Sequence, residues 1–308
     1  MKVLITGGSG FIGRVTAAVG ISKNIDIVTL DAEEGSLIKA DISEVNWNDF
    51  DLSVFDAVIH LAAMISVPES FEIPDRYDEV NVNATDRLFS ACAHQGVSRV
   101  IFASSAAVYG SSTEEKKIVG QEFPIESPYA ETKVKGEELA KKFSNNETKI
   151  TVFRFFNVYG PGQEADSPYA SVIPKFVKMA CSGTPITIEG DGLQTRDFVH
   201  VSDVAKTLVN SVLITPSRNF EIINLGTGNM ATILDLAGMS IEKARLIGFQ
   251  KESRVIHVDS REGDVRDSVA DLRGLRNYID HATFLSLEEG IHDLVRDEMH
   301  RKNENYST

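Results

Sequence analysis

The chain has 308 residues, enough for one large domain or two closely joined ones around a well-buried core. Apolar residues make up 42% and charged residues 25%, as in soluble globular proteins, and no apolar run approaches the roughly 20 residues of a membrane-spanning helix. A formal charge of −14 argues against a nucleic-acid partner, because phosphate backbones demand a basic face. It leaves room for an anionic ligand, since a few placed arginines hold a diphosphate on an otherwise acidic protein. Val3-Leu4-Ile5 is broken by Gly-Gly-Ser-Gly before the apolar stretch of a secretion signal forms, so a cytoplasmic location is expected. Cys92 and Cys181 lie far apart with no metal-ligand spacing; they read as small buried hydrophobes, and no metal site is expected.

In chain order, strands are predicted over Lys2–Thr6, Ile25–Asp31, Leu37–Asp41, Ala57–Leu61, Arg99–Ser104 and Ile150–Phe155. Runs such as Val100-Ile101-Phe102 are apolar on both faces, as in a parallel sheet covered on each side by helices. Helices are predicted over Phe11–Val19, Tyr77–Gln95 and Pro128–Phe143, the last opened by Ser127 as N-cap and Pro128 at the first turn. Ser286-Leu287-Glu288-Glu289 has the spacing of a capping box for a C-terminal helix. Strand, helix, strand in this rhythm means right-handed crossovers and a doubly wound α/β fold. The rhythm weakens after about residue 158. The expected organisation is therefore a Rossmann-type cofactor domain over 1–158, with 195–215 returning to it, and a smaller α+β substrate-binding region over 159–308.

Between the first strand and first helix lies Thr6-Gly7-Gly8-Ser9-Gly10-Phe11-Ile12-Gly13. Gly7 permits a tight turn, Gly10 lets the backbone approach a pyrophosphate, and Gly13 lets the helix pack close to the strand. The helix N-terminus, with Phe11 and Ile12, adds free N–H groups and a favourable dipole. A glycine-rich turn can also bind nothing; the strand before it and the helix after it favour a dinucleotide. Asp31 ends the second strand, where a carboxylate accepts from the adenosine ribose and repels a 2′-phosphate, selecting NAD over NADP. Asp41-Ile42, after the third strand, would flank the adenine, with Asp41 accepting from its amine.

Tyr129 and Lys133, four residues apart on a helix, share one face. Lowering a tyrosine pKa from ~10 to ~7 requires about 4 kcal/mol, at 1.36 kcal/mol per unit. A neighbouring ammonium and an oxidised nicotinamide supply such a charge. The spacing alone is common on helix surfaces. It gains weight from Ser104-Ser105-Ala106-Ala107-Val108-Tyr109-Gly110, because a serine at the carboxyl end of a parallel strand points into the ligand crevice. Ser105 is expected to bond the reacting hydroxyl beside Tyr129.

With these motifs in this order, the chain resembles the extended short-chain dehydrogenase/reductase family, and within it the UDP-galactose 4-epimerase-like group. The resemblance runs from Met1 to about Asp271 and includes His60-Leu61-Ala62-Ala63, Asn81-Val82-Asn83-Ala84-Thr85, Arg154-Phe155-Phe156-Asn157, Gly190–Phe198 and Arg261-Glu262-Gly263-Asp264. It implies that Leu61, Ala62, Ala63, Asn81 and Ser104 line or touch NAD, that Lys133 bonds the nicotinamide ribose, and that Phe156 lies near the nicotinamide. It further implies that Ser66, Asn157, Arg196, Arg261 and Asp264 hold the nucleotide-diphosphate sugar, and that the protein is a homodimer joined through the helices around 77–95 and 128–143. As bidentate clamps, Arg196 and Arg261 suit a diphosphate; without the surrounding motifs they would read as surface ion pairs. Arg14, where relatives usually carry a small residue, is a candidate for the pyrophosphate.

The family's dehydratases carry an Asp-Glu pair after the catalytic serine or threonine, and its sugar-acid decarboxylases tend to keep a glutamate. Here Ala106-Ala107 have no proton to give or take. Oxidation and re-reduction at C4 needs only Tyr129, Lys133 and the cofactor, so the expected enzyme is a UDP-glucose/UDP-galactose 4-epimerase. An N-acetylglucosamine epimerase, another nucleotide-sugar oxidoreductase or dehydratase, and a non-enzymatic NAD-sensing module stay open as alternatives.

Overall fold

The computed structural model describes residues 1–121, 123–163, 165, 171–260 and 266–305, the side chains of 303–305 excepted. In the first half, strands β1 (Lys2–Thr6), β2 (Asp26–Asp31), β3 (Ile38–Lys39), β4 (Ala57–His60), β5 (Arg99–Ser105), β6 (Lys116–Lys117) and β7 (Lys149–Phe155) follow one another. The second half adds β8 (Asn157–Tyr159), β9 (Ile186–Glu189), β10 (Thr195–Arg196), β11 (Phe198–His200), β12 (Phe220–Leu225), β13 (Ala231–Thr232), β14 (Val255–Val258) and β15 (Asp267–Ala270). Helices are α1 (Phe11–Ser22), α2 (Val67–Glu72), α3 (Pro74–Asp78), α4 (Ala84–His94), α5 (Pro128–Phe143), α6 (Val172–Ser182), α7 (Val201–Leu213), α8 (Ile233–Ile247) and α9 (Leu287–Asn305).

Seven parallel strands in the order β12-β7-β5-β4-β1-β2-β3 form the central Rossmann-type sheet. Alternate side chains feed two cores, as the period of a strand requires. Leu4, Val58, Val100 and Val152 pack towards Leu88, Phe89 and Cys92 of α4 and Ala140 of α5. Val3, Ile5, Ile59 and Ile101 pack towards Val204, Leu208 and Val212 of α7, which lies against α1. A third core joins α6, α8 and α9 to the paired β9 and β14, forming the smaller C-terminal α+β part. No described helix is long and apolar enough to cross a membrane.

Local differences from expectation have physical causes. The third strand is only Ile38–Lys39, as befits an edge. The helix expected over Tyr77–Gln95 is α3, a π turn over Glu79–Asn83, and then α4; the wide turn places Asn81 inward against the 62–64 segment. Strand β12, drawn from beyond residue 158, completes the edge beside β7. Ser127 caps α5 through Ala130 N–H at 3.1 Å, and Ser286 and Glu289 form the capping box of α9.

Candidate active site

The carboxyl ends of β1, β2, β4 and β5 open onto a cleft of about 1580 Å³. Single-ligand pockets hold roughly 300–1,000 Å³, so this cleft has room for a dinucleotide and a second ligand together. Its wall includes Gly7, Gly10, Phe11, Ile12 and Gly13 at one end, Ser105, Tyr129 and Lys133 in the middle, and Asn157 and Arg196 at the other.

At the cofactor end, β1 turns at Gly7, whose φ of +74° suits only glycine, and a Cβ there would stand 2.7 Å from the Ala62 nitrogen. A Cβ on Gly13 would stand 2.0 Å from the Gly7 carbonyl oxygen. Gly10 is the N-cap of α1 and carries no capping side chain, so the first-turn N–H groups face the cleft rather than a side-chain acceptor. Asp31 draws this loop to the end of β2, accepting from the Ser9 N–H at 2.9 Å and from the Glu33 N–H at 3.1 Å. A cradle without side chains, at a helix N-terminus beside a strand-end carboxylate, fits the pyrophosphate and adenosine ribose of NAD.

Asp41 and Ile42 reach the cleft, but the Asp41 carboxylate is already occupied. It accepts from the Ser43 N–H at 2.8 Å, the Ser43 hydroxyl at 2.7 Å and Arg76 Nη2 at 2.6 Å. Burial works to raise its pKa, yet the Ser43 and Arg76 bonds together hold it below the usual carboxylate range. Leu61, Ala62 and Ala63 line the cleft; Asn81 does not. The Asn81 amide instead accepts from the Met64 N–H at 2.8 Å and donates to the Met64 carbonyl at 2.9 Å and the Thr132 hydroxyl at 3.0 Å. Ser66, also off the cleft wall, caps α2 through Glu69 N–H. Arg14 reaches across to the Gly162 carbonyl at 3.1 Å.

In the middle, β5 presents Ser105 beside Tyr129 of α5. Burial pushes the Tyr129 phenol up and the Ser105 hydroxyl pulls it down. Lys133 is 4% exposed and donates to the Ala103 carbonyl at 3.0 Å. Its burial pulls the ammonium pKa down to about 8, while the Glu137 carboxylate opposes the fall. Ser104 backs the cleft, but its hydroxyl donates away from it, to Glu137 Oε1 at 2.5 Å. Ala106 and Ala107 line the cleft next to Ser105.

At the far end, Asn157 donates to the Asp197 carbonyl at 3.0 Å, and Phe156 is 4% exposed. Register places Arg196 of β10 beside Ser268 of β15, and Ala270 beside Lys117 of β6, so these side chains share one face of the small sheet. Arg196, Ser268 and Lys117 all reach the cleft. Arg261 and Asp264 lie outside the described residues. Behind Arg196, the buried Asp197 carboxylate accepts from Thr227 N–H (2.8 Å) and hydroxyl (2.7 Å), Gly228 N–H (2.8 Å) and Ala270 N–H (3.1 Å), fixing the loop after β12. The cleft residues Arg76 and Lys117 carry no motif that marks them in the sequence. Glu137 follows Lys133 by one helical turn, a spacing that does. Among the described residues no cluster of three or more metal-ligating side chains occurs.

A profile of the NAD dependent epimerase/dehydratase family matches residues 3–226. The chain belongs to that family. As an NAD-dependent enzyme of the epimerase/dehydratase family it has relatives of several reactions. It is 28% identical to a UDP-N-acetyl-alpha-D-glucosaminuronate decarboxylase of Bacillus cytotoxicus, over 96% of this chain and 97% of that protein. It is 29% identical to a UDP-glucose 4-epimerase of Bacillus subtilis, over 88% of this chain and 89% of that one. The solved UDP-N-acetylglucosamine 4-epimerase of Methanobrevibacter ruminantium M1, in complex with UDP-N-acetylmuramic acid, superposes with a TM-score of 0.87 at 31% identity, covering 97% of this chain and 98% of that one.

Proposed function

We propose that this enzyme is a nucleotide-sugar 4-epimerase of the UDP-glucose/UDP-galactose type. The observation that carries the reading is the grouping of Ser105, Tyr129 and Lys133 at mid-cleft with Ala106 and Ala107 directly following Ser105. Those two positions carry no ionisable group, so they offer no acid or base for elimination or decarboxylation. Tyr129 takes the C4 hydroxyl proton as phenolate, and Ser105 hydrogen-bonds the same oxygen. When bound, NAD supplies the hydride acceptor at C4 and a positive ring charge that favours the phenolate. Asn157 and Arg196 would keep the diphosphate anchored while the oxidised sugar turns in the pocket, so that either face of C4 can be presented to the cofactor, and Tyr129 would return the proton to the C4 oxygen. The protein contributes placement and a tuned base.

In this reading residues 1–158 with the returning 195–215 segment hold NAD, and 159–308 mainly hold the nucleotide sugar. Asn157 and Arg196, with Arg261 and Asp264, bind its diphosphate end. The active protein is a homodimer joined through α4 and α5, which pack side by side. A second reading, an N-acetylhexosamine 4-epimerase, is favoured by the close likeness to the Methanobrevibacter ruminantium structure.

The test is product analysis. The protein is incubated with NAD and either UDP-glucose or UDP-N-acetylglucosamine, and C4 epimers are sought by NMR. A galacto product from the first supports the main reading, and one from the second alone supports the other. Neither product, with NAD binding shown separately, overturns both.

A further inference from the structure

Tyr129, Lys133 and Glu137 recur every four residues on α5 and so form one stripe down the helix. Three successive residues of β5 meet that stripe. Ser105 stands by Tyr129, the Ala103 carbonyl accepts from Lys133 at 3.0 Å, and the Ser104 hydroxyl donates to Glu137 at 2.5 Å. From the next strand, Arg154 grips the same carboxylate with two bonds, Nε to Oε1 at 2.9 Å and Nη2 to Oε2 at 2.7 Å. Glu137 is 6% exposed and Arg154 9%. The Arg154 guanidinium lies 4.8 Å from the Tyr109 ring centre, and the Tyr109 hydroxyl donates to Asn224 at 2.6 Å. An acid and two bases are thus enclosed together, with a single negative charge between two positive ones.

We propose that Glu137 is a positioning residue for the reaction: clamped by Ser104 and Arg154, it fixes the turn of α5 that bears Lys133 against β5 and supplies the buried counter-charge that keeps Lys133 an ammonium ion. The proposal rests on Tyr129 and Lys133 being the working pair of the proposed function. Removing one partner of a buried charge cluster leaves the others uncompensated, and the titratable one relieves this by changing protonation state. Arg154 holds its proton, so Lys133 is the group that yields. The remaining titratable neighbours of Lys133 are His60 on β4, which burial and Lys133 keep neutral, and Tyr129 on its own helix. Around Glu137 stand Arg154 on β7 and, beyond it, Tyr109. Lys135, with Asp78 and Glu131, makes its ion pairs on the exposed side of α5. An uncharged Lys133 no longer favours the Tyr129 phenolate.

The experiment reads Lys133 without substrate, so its outcome is separable from whether C4 epimers form. Lysine 13Cε signals are followed against pH, with that of Lys133 assigned by its loss in Lys133→Met. In the unaltered protein the midpoint is expected at about 8. In Glu137→Gln, which preserves shape but not charge, it falls by about one pH unit or more, the size a charge at close range produces. Glu137→Asp, which retains the charge, holds the midpoint nearer the wild-type value, and Ser104→Ala shifts it far less than Glu137→Gln. Should Glu137→Gln not fold, the double variant Glu137→Gln/Arg154→Met removes both charges, and the midpoint still falls, by less than in the single variant, because Glu137 one helical turn away acts on Lys133 more strongly than Arg154 behind it. If turnover is present, the high-pH limb of kcat moves to lower pH in step with that midpoint. An unmoved Lys133 midpoint in Glu137→Gln, or in the double variant where the single one does not fold, overturns the proposal.

Discussion

The hydroxyl of Thr6, the last residue of β1, lies 2.7 Å from Nδ1 of His60, the last residue of β4. The direction of that bond follows from its neighbours. Thr85 donates its hydroxyl to the Asn81 carbonyl at 2.8 Å, so it accepts from His60 Nε2–H at 3.0 Å. Nδ1 is then bare and accepts from Thr6, whose oxygen in turn receives the Ala62 N–H at 3.4 Å. Through Asn81 and Thr132 the chain continues to the backbone carbonyl of Tyr129. One neutral imidazole therefore ties the start of the phosphate loop to the helix that carries Tyr129.

Burial, helped by the nearby Lys133 charge, pulls the His60 pKa down to about 3 from 6.5. A base whose folded pKa is depressed contributes stability that is full above its unfolded pKa and is lost as pH falls towards the folded one. Between pH 6.5 and 5 this loss is about 2 kcal/mol. Urea titrations should show that much more acid destabilisation in the wild type than in His60→Asn. Equal slopes against pH would show that His60 charges without penalty.

Thr6→Val removes the donor that His60 Nδ1 has among the described residues and leaves a buried acceptor unpaired. The expected loss is about 1–3 kcal/mol of folding stability. Calorimetry measures it, and an unchanged melting temperature would count against the bond.

Tyr129→Phe keeps the ring and deletes the proton acceptor. We expect kcat to fall about 10²- to 10⁴-fold, the usual worth of a placed acid or base, with NADH affinity nearly unchanged by fluorescence titration. Retained turnover would remove Tyr129 from the chemistry.

Gly13→Ala forces a methyl to within 2.0 Å of the Gly7 carbonyl oxygen, at the heart of the cradle. The loop must move, and NAD affinity should drop by about 100-fold or ~3 kcal/mol. Wild-type affinity in the folded variant would show that the loop does not hold the pyrophosphate.

Asp197→Ala strips the acceptor from three backbone N–H groups and one hydroxyl in a buried place. A loss of about 3–5 kcal/mol is expected. Because Arg196 is its chain neighbour, KM for the nucleotide sugar should rise while NAD binding is spared. Equal damage to both would place Asp197 outside the substrate end.

Much of the first half of the chain was readable because its signals are local. Glycines at Gly7, Gly10 and Gly13 sit between a strand and a helix, and Tyr129 and Lys133 follow a capped helix start. The cleft gathers these with Asp31 and Ser105 as the motif order suggested. Asn81 and Ser104 were less legible, since a polar residue beside a cleft can face either way. Their hydrogen-bond partners, Met64 and Thr132 for one and Glu137 for the other, lie 17 to 51 residues distant in the chain. Phe220–Leu225 is strand-like in composition, but its place beside β7 is not a local signal, because its partner strand lies 70 residues earlier in the chain. Two-residue strands such as Lys116–Lys117 have no periodicity to read, which hid Lys117 on the cleft wall.

The separation of β12 from β7 bears on synthesis at the ribosome. When Phe155 has emerged, six strands of the central sheet exist, but β7 still presents an unpaired edge and α1 lacks its neighbour α7. Both gaps close only when the chain reaches Leu225. Nascent chains that stop short of it expose an edge suited to pairing with another polypeptide, so the central sheet is completed late rather than folding strand by strand as it appears.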